Sequence, residues 1–214
     1  SSDAPNIARV AALKAGLPDR IPAYTVQRNC GSGLQALVSA AQIIKTDEAE
    51  VILAGGSESM SNIPYVLKGM RNGVRYYPGK PLRNLVDSLD EGLTDPITGE
   101  LMGCTAENVA EKYSISRADQ DEFAGQSHQK AFRAARSGKF RSQIIGVQTK
   151  DGLVSEDEGI NPGLNKQMIA MMPTIFKKEG TVTPLNSCPL SDGASSFLVM
   201  SLEAAERLGI KPEA

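Results

Sequence analysis

No stretch of the 214-residue sequence approaches the roughly 20 consecutive apolar residues of a membrane-spanning helix. Phe197-Leu198-Val199-Met200 is among its longest apolar runs. The opening Ser1-Ser2-Asp3-Ala4-Pro5 lacks the charged-then-apolar order of a secretory signal. Charge of neither sign is in excess: 23 Lys and Arg stand against 25 Asp and Glu, a formal net charge of −2. That balance offers no grip on nucleic acid or on an anionic membrane surface. Internal repeats, low-complexity tracts and charged tails are missing as well. These absences predict a soluble, cytoplasmic protein without a nucleic-acid or membrane partner. Ser1 in place of an initiator Met predicts that further sequence precedes it.

Cysteine is scarce. Cys30, Cys104 and Cys188 are an odd number at wide spacings, with no C-x-x-C pair and no histidine cluster beside them. A disulfide framework and a zinc site are both excluded by that pattern, and no metal is expected. The open matter is whether one of the three thiols is reactive. What the sequence does contain is an ordinary globular mixture, 41% hydrophobic and 22% charged. It is enough for roughly one and a half domains of about 150 residues each.

Ile7, Val10 and Ala11 follow helical spacing, and Gly16 with Pro18 ends the pattern. Ala23-Tyr24-Thr25-Val26 is short and β-prone, which predicts a strand. Leu34, Leu37, Val38, Ala41 and Ile44 form the stripe of an amphipathic helix. Val51-Ile52-Leu53-Ala54 reads as a buried parallel strand closed by Gly55-Gly56. Strand, turn, helix and strand in that order predict a βαβ unit and an α/β sheet. From about Met60 to Pro189, Gly and Pro are frequent and strand signals weak, as in an insertion on an α/β core. Two helices stand out there. Ala106, Val109, Ala110 and Tyr113 mark the first. Ser116 followed by Asp119 resembles a capping box and opens a longer one ending near Gly138. A buried strand over residues 194–201 and a helix over 203–208 capped by Gly209 complete the chain.

Cys30 is the most informative residue. It stands at the predicted junction between a strand and a helix N-terminus, where amide groups stabilise a thiolate. Gly31 and Gly33 would let the backbone turn sharply and admit a substrate, the geometry a nucleophile elbow uses with serine. The same position also suits a small buried cysteine at a tight turn. His128 shares its helix face with Ala124, Ala131 and Phe132, so it reads as a satisfied, partly buried histidine, not as a base for Cys30.

Longer segments carry a family resemblance. Gln27-Arg28-Asn29-Cys30-Gly31-Ser32-Gly33-Leu34-Gln35-Ala36 resembles the nucleophile motif of the thiolases. Ala54-Gly55-Gly56-Ser57-Glu58-Ser59-Met60-Ser61 is similar to their Gly-Gly-x-Glu-x-Met-Ser segment. Gly92-Leu93-Thr94-Asp95 and Met102-Gly103-Cys104-Thr105-Ala106-Glu107-Asn108 resemble the region of their coenzyme A lid. Gly180-Thr181-Val182-Thr183, Asn186 and Ser191-Asp192-Gly193-Ala194 resemble the return from lid to core.

The resemblance implies an α/β thiolase fold: the N-terminal core half, a mixed sheet with helices on its faces, plus the inserted lid. Residues 1–60 would be incomplete core, 61–189 the CoA-binding lid, and 190–214 the returning strand and helix. It implies a transferase of fatty acid metabolism with Cys30 as nucleophile and acyl-thioester carrier. Coenzyme A would be a substrate and no cofactor permanently bound. A homodimer or homotetramer would be the assembly. Leu93, Met102, Phe176, Pro184 and Cys188 match positions that line the family's CoA tunnel, with ordinary lid packing as the other reading of the first four. Lys68, Arg71, Arg75, Lys80 and Arg83 would face CoA phosphates or merely solvate the lid surface. Cys104 would be structural.

Three positions depart from the family pattern. Cys188 replaces a small hydroxyl residue, Leu101 a frequent His and Asn161 a frequent Arg. The family's Gly-His-Pro, Cys-x-Gly and Asn-Glu-Ala-Phe segments are absent, as is its first core strand. The expectation is therefore a thiolase whose 214 residues alone lack thiolysis. A β-ketoacyl condensing enzyme and a non-catalytic CoA-binding chain are the alternatives.

Overall fold

The computed structural model describes residues 4–73, 84–161, 163–164 and 166–213. In chain order its elements are α1 (Ile7–Lys14), α2 (Ser32–Lys45), β1 (Val51–Ser59), β2 (Tyr65–Leu67), β3 (Leu85–Asp87), α3 (Ser88–Leu93), α4 (Met102–Lys112), α5 (Arg117–Arg136), β4 (Val147–Thr149), β5 (Gly152–Val154), α6 (Lys166–Ala170), β6 (Asp192–Met200) and α7 (Leu202–Leu208). They divide into two compact units, Ser1–Ser59 with Asp192–Ala214, and Met60–Ser191.

The first unit is built on β1 and β6, which pair over nine residues from Val51↔Met200 to Ser59↔Asp192. The pair is antiparallel, which corrects the parallel strand expected at Val51-Ile52-Leu53-Ala54. The two strands are also less buried than expected: Leu53 is 57% and Phe197 50% exposed, and only Ala54 of the run is buried. A short apolar run encodes neither direction nor the cover it receives, and the partner strand comes from the far end of the chain. Nor do Gly55 and Gly56 close the strand: the ladder runs through both. Close approach explains them. A Cβ on Gly55 would collide with the carbonyl of Ser195, and one on Gly56 would lie 3.2 Å from Cα of Gly33 in α2. Small residues also fill the core of this unit, with Ala40 of α2, Ala54 of β1, and Ala204 and Ala205 of α7 all buried. The buried line of α2 is displaced from the expected stripe: Ala40 is 2% exposed, whereas Leu34 is 69% and Val38 42% exposed.

The strand expected at Ala23-Tyr24-Thr25-Val26 is irregular backbone. β-prone side chains form a strand only beside a partner, and this segment pairs with none among the described residues. Its polar groups go to α1 instead. The Asn6 side-chain amide donates to the carbonyl of Ala23 at 3.0 Å, and the Thr25 hydroxyl accepts from the Ala8 amide at 3.2 Å. The expected βαβ unit is therefore not formed in this region.

In the second unit the helices stand where their spacing and caps put them. Ser116 caps α5 by accepting from the Asp119 amide at 3.1 Å, and its hydroxyl donates to the Asp119 carboxylate at 2.6 Å. Gly138, in the left-handed region at φ 74°, follows the helix end. Two antiparallel pairs of three-residue strands, β2 with β3 and β4 with β5, accompany these helices. No helix among the described residues is long and apolar enough to cross a membrane.

Candidate functional site

Cys30 is exposed and immediately precedes Gly31, the N-cap of α2. The turn that presents it spans residues 27–32 and is closed by two backbone bonds. The Gly31 amide donates to the Arg28 carbonyl and the Ser32 amide to the Asn29 carbonyl, each at 3.0 Å. The expected free amides are thus partly committed to the turn itself. The left-handed residue is Asn29, at φ 48°, not Gly31 or Gly33. Asparagine tolerates that conformation better than most residues with a side chain. Gly31 has an ordinary φ of −87°, but a Cβ there would lie 3.3 Å from the Arg28 carbonyl oxygen.

Polar side chains brace the same turn. The Ser32 hydroxyl accepts from the Arg28 amide at 2.8 Å. Its own hydrogen has two acceptors in reach, the Asn29 carbonyl at 2.7 Å and the Gln27 side-chain carbonyl at 2.9 Å. Gln27 Oε1 also accepts from the Asn29 amide at 2.9 Å. Arg28 reaches forward to Gln35 of α2 at 2.6 Å. Sequence reading placed Ser32 inside the motif but gave it no role.

The second unit gathers the candidate CoA-lining residues in two places. Leu93 ends α3 and Met102 begins α4, and an antiparallel bridge between Thr94 and Leu101 holds those two ends together. Phe176 lies against the same helix start: a Cβ on Gly103 would collide with its ring, and its carbonyl accepts from the Cys104 thiol at 3.9 Å. Cys104 therefore has the structural place expected of it. Leu93 and Phe176 are half-buried and Met102 is exposed.

Pro184 and Cys188, both exposed, ride on a strap that follows Gly180. The strap hangs on two buried or half-buried anchors, Glu107 and Asn186, which the sequence places inside family segments without giving either a role. Glu107 of α4 is 4% exposed. Its carboxylate accepts from the amides of Thr181 and Val182 and from the Thr181 hydroxyl, all at 2.8 Å. Burial pushes this carboxyl up. The hydrogen bonds from Val182 and Thr181, helped by the Lys177 charge, outweigh it and hold the group below its ordinary 4.5. A Cβ on Gly180 would collide with the same carboxylate. Asn186 is the second anchor. Its Oδ1 accepts from the Thr183 amide at 2.7 Å, and its Nδ2 donates to Asp121 of α5 and to the Thr181 carbonyl, each at 3.0 Å. The signal for Glu107 was available, since it stands three residues before the apolar Ala110 on the inner face of α4.

His128 is half-buried and accepts from the Asn161 amide at 3.2 Å, the satisfied histidine expected from its helix face. Lys68 is paired with Glu91. Arg75, Lys80 and Arg83 lie outside the described residues. Among the described residues, no group of three His, Cys, Asp or Glu side chains could hold a metal ion.

Comparison with known proteins gives this arrangement a family. Residues 1–203 match the family model of the thiolase N-terminal domain. A Staphylococcus aureus (strain COL) protein described as a probable acetyl-CoA acyltransferase is 42% identical over 213 residues, 97% of this chain and 53% of that protein. The crystal structure of a Bacillus anthracis acetyl-CoA acetyltransferase superposes with a TM-score of 0.92 at 41% identity, covering 99% of this chain and 54% of that one. Human mitochondrial 3-ketoacyl-CoA thiolase, solved in complex with CoA, gives a TM-score of 0.91 at 37% identity, covering 99% and 53%. The chain spans about half the length of the relatives it matches. With its α/β fold and the motif of the Cys30 turn, the chain belongs to the thiolase family.

Proposed function

We propose that the protein carrying this chain is an acyl-CoA acyltransferase that uses Cys30 as its nucleophile. The observation that carries the proposal is an exposed thiol on a braced turn at the start of α2, in a chain of the thiolase family. The Cys30 thiolate adds to the 3-keto carbonyl of a 3-ketoacyl-CoA. The bond between C2 and C3 breaks, its electron pair leaves with acetyl-CoA as an enolate, and that enolate takes up a proton. The thiol of a second CoA then attacks the acyl-Cys30 thioester, gives up its proton, and releases the Cys30 thiolate. Run in reverse with acetyl-CoA, the same steps condense two acyl groups.

Coenzyme A enters as a substrate and no prosthetic group is needed. Residues 61–189 serve as its lid, with Leu93, Met102, Phe176, Pro184 and Cys188 along the acyl-pantetheine path. Residues 1–60 and 190–214 belong to the core. The working assembly is a homodimer or homotetramer in the cytoplasm. The Gly-His-Pro and Cys-x-Gly segments that supply the family's base and acid do not occur here. The 214 residues by themselves are accordingly expected to lack thiolysis.

Acetoacetyl-CoA cleavage by the protein expressed from its full reading frame tests the proposal, with Cys30→Ala as the control. Turnover abolished by that substitution is the expected result. Turnover that survives Cys30→Ala, or none in the unmodified protein, would overturn it.

A further inference from the structure

We infer that Ser32 is a positioning residue for Cys30, acting through the peptide units that precede the nucleophile. The inference rests on the acyltransferase reading above and goes beyond it by assigning a hydroxyl that touches no reacting atom. Ser32 does not cap α2: the N-cap is Gly31, which contributes no side-chain bond, and Ser32 is already the first helical residue. Its hydroxyl turns back over the Cys30 turn. It takes the Arg28 amide at 2.8 Å, two residues before Cys30, and lies 2.7 Å from the Asn29 carbonyl, one residue before it. One side chain therefore holds the peptide groups on both sides of the Arg28–Asn29 unit, the 27–28 group through its N–H and the 29–30 group, which enters Cys30, through its carbonyl.

The grip matters because Asn29 is held at φ 48°. The left-handed region is unfavourable for a residue with a side chain, less so for asparagine, so it persists only where surrounding bonds determine it. Gln27 supplies the other restraint, accepting from the Asn29 amide at 2.9 Å and lying 2.9 Å from the Ser32 hydroxyl. Without the hydroxyl, the Arg28 amide loses its partner and Asn29 is freer to relax to the right-handed region. That rotation re-aims the Cα–Cβ bond of Cys30. A misplacement of about 1 Å at a reacting atom can cost about a hundredfold in rate. The hydroxyl's bonds all go to the turn itself, so its loss is expected to act on the aim of Cys30 and not on substrate binding.

Steady-state kinetics on the protein expressed from its full reading frame, normalised to the amount of acyl-Cys30 found by mass spectrometry, test the inference. Ser32→Ala should lower kcat per site by about ten- to a hundredfold with KM unchanged, and Ser32→Thr, which keeps the hydroxyl, should restore most of it. Gln27→Ala should lower kcat in the same sense but less, and carries the test if Ser32→Ala fails to fold. Unchanged kcat per site in the folded variants, or a Ser32→Thr protein as defective as Ser32→Ala, would overturn the inference and leave the acyltransferase reading intact. An unmodified protein that forms no acyl-Cys30 would instead remove the reading on which it rests.

Discussion

The Cys30 turn and the 181–187 strap are both polar constructions on irregular backbone, yet they are held in opposite ways. The turn is exposed and local: its bracing bonds span two to five residues, from Gln27 to Ser32. The strap is held at buried and half-buried anchors, and over long range: Glu107 reaches across 74 and 75 positions to Thr181 and Val182, and Asn186 across 65 to Asp121. A local exposed brace contributes little to global stability, because water replaces each bond when it breaks. It can still fix the aim of one side chain. A buried anchor contributes much, because losing it leaves amide groups without water or partner. The two regions should therefore fail differently when cut.

Glu107→Ala should produce the largest loss of stability. It strands the amides of Thr181 and of Val182, the latter residue only 6% exposed, and should cost about 2–4 kcal/mol. Chemical denaturation measures the loss, and faster amide exchange at Thr181 and Val182 would place it. The same carboxylate sets a pH dependence. Its folded value lies below the ordinary 4.5, so its contribution is fully present above that pH. The contribution fades as the pH falls through the lowered value. Glu107→Gln should flatten this part of the acid limb of a stability–pH curve. An acid limb identical in the two proteins would remove Glu107 as its source.

Ser116→Ala comes next. It deletes the N-cap of α5 and should cost about 1 kcal/mol, read as a lower denaturation midpoint. Ser32→Ala should cost only about 0.5 kcal/mol, since its bonds are exposed, while lowering turnover far more than Glu50→Gln does. Glu50→Gln breaks the exposed pair with Arg207 and should leave the melting temperature unchanged within error. If Ser32→Ala were as destabilising as Glu107→Ala, the contrast between local brace and buried anchor would collapse.

The same contrast explains what could be read from the sequence. Caps are local, so Ser116 and Gly209 marked helix ends that the structure reproduces. The words around Cys30 are local too, and they identified both the turn and the family. Strand direction is not local. β1 acquires its antiparallel partner from β6, some 140 residues later, and no pattern within Val51-Ile52-Leu53-Ala54 encodes that. The segment at Ala23-Tyr24-Thr25-Val26 has strand-forming residues but finds helix α1 in place of a ladder. The sharp turn was expected of Gly31 and Gly33, yet the left-handed residue is Asn29, because that choice depends on how Ser32 and Gln27 fold back on the turn. Glu107 went unassigned because a glutamate on a helix is ordinarily solvated, and its partners lie more than 70 residues away.

The most direct measurement is mass spectrometry of the protein expressed from its full reading frame after brief exposure to acetoacetyl-CoA and acid quenching. An acetyl group confined to the peptide containing Cys30, and absent from those containing Cys104 and Cys188, is the predicted result. No acetylation, or acetylation spread over the three cysteines, would contradict Cys30 as the nucleophile.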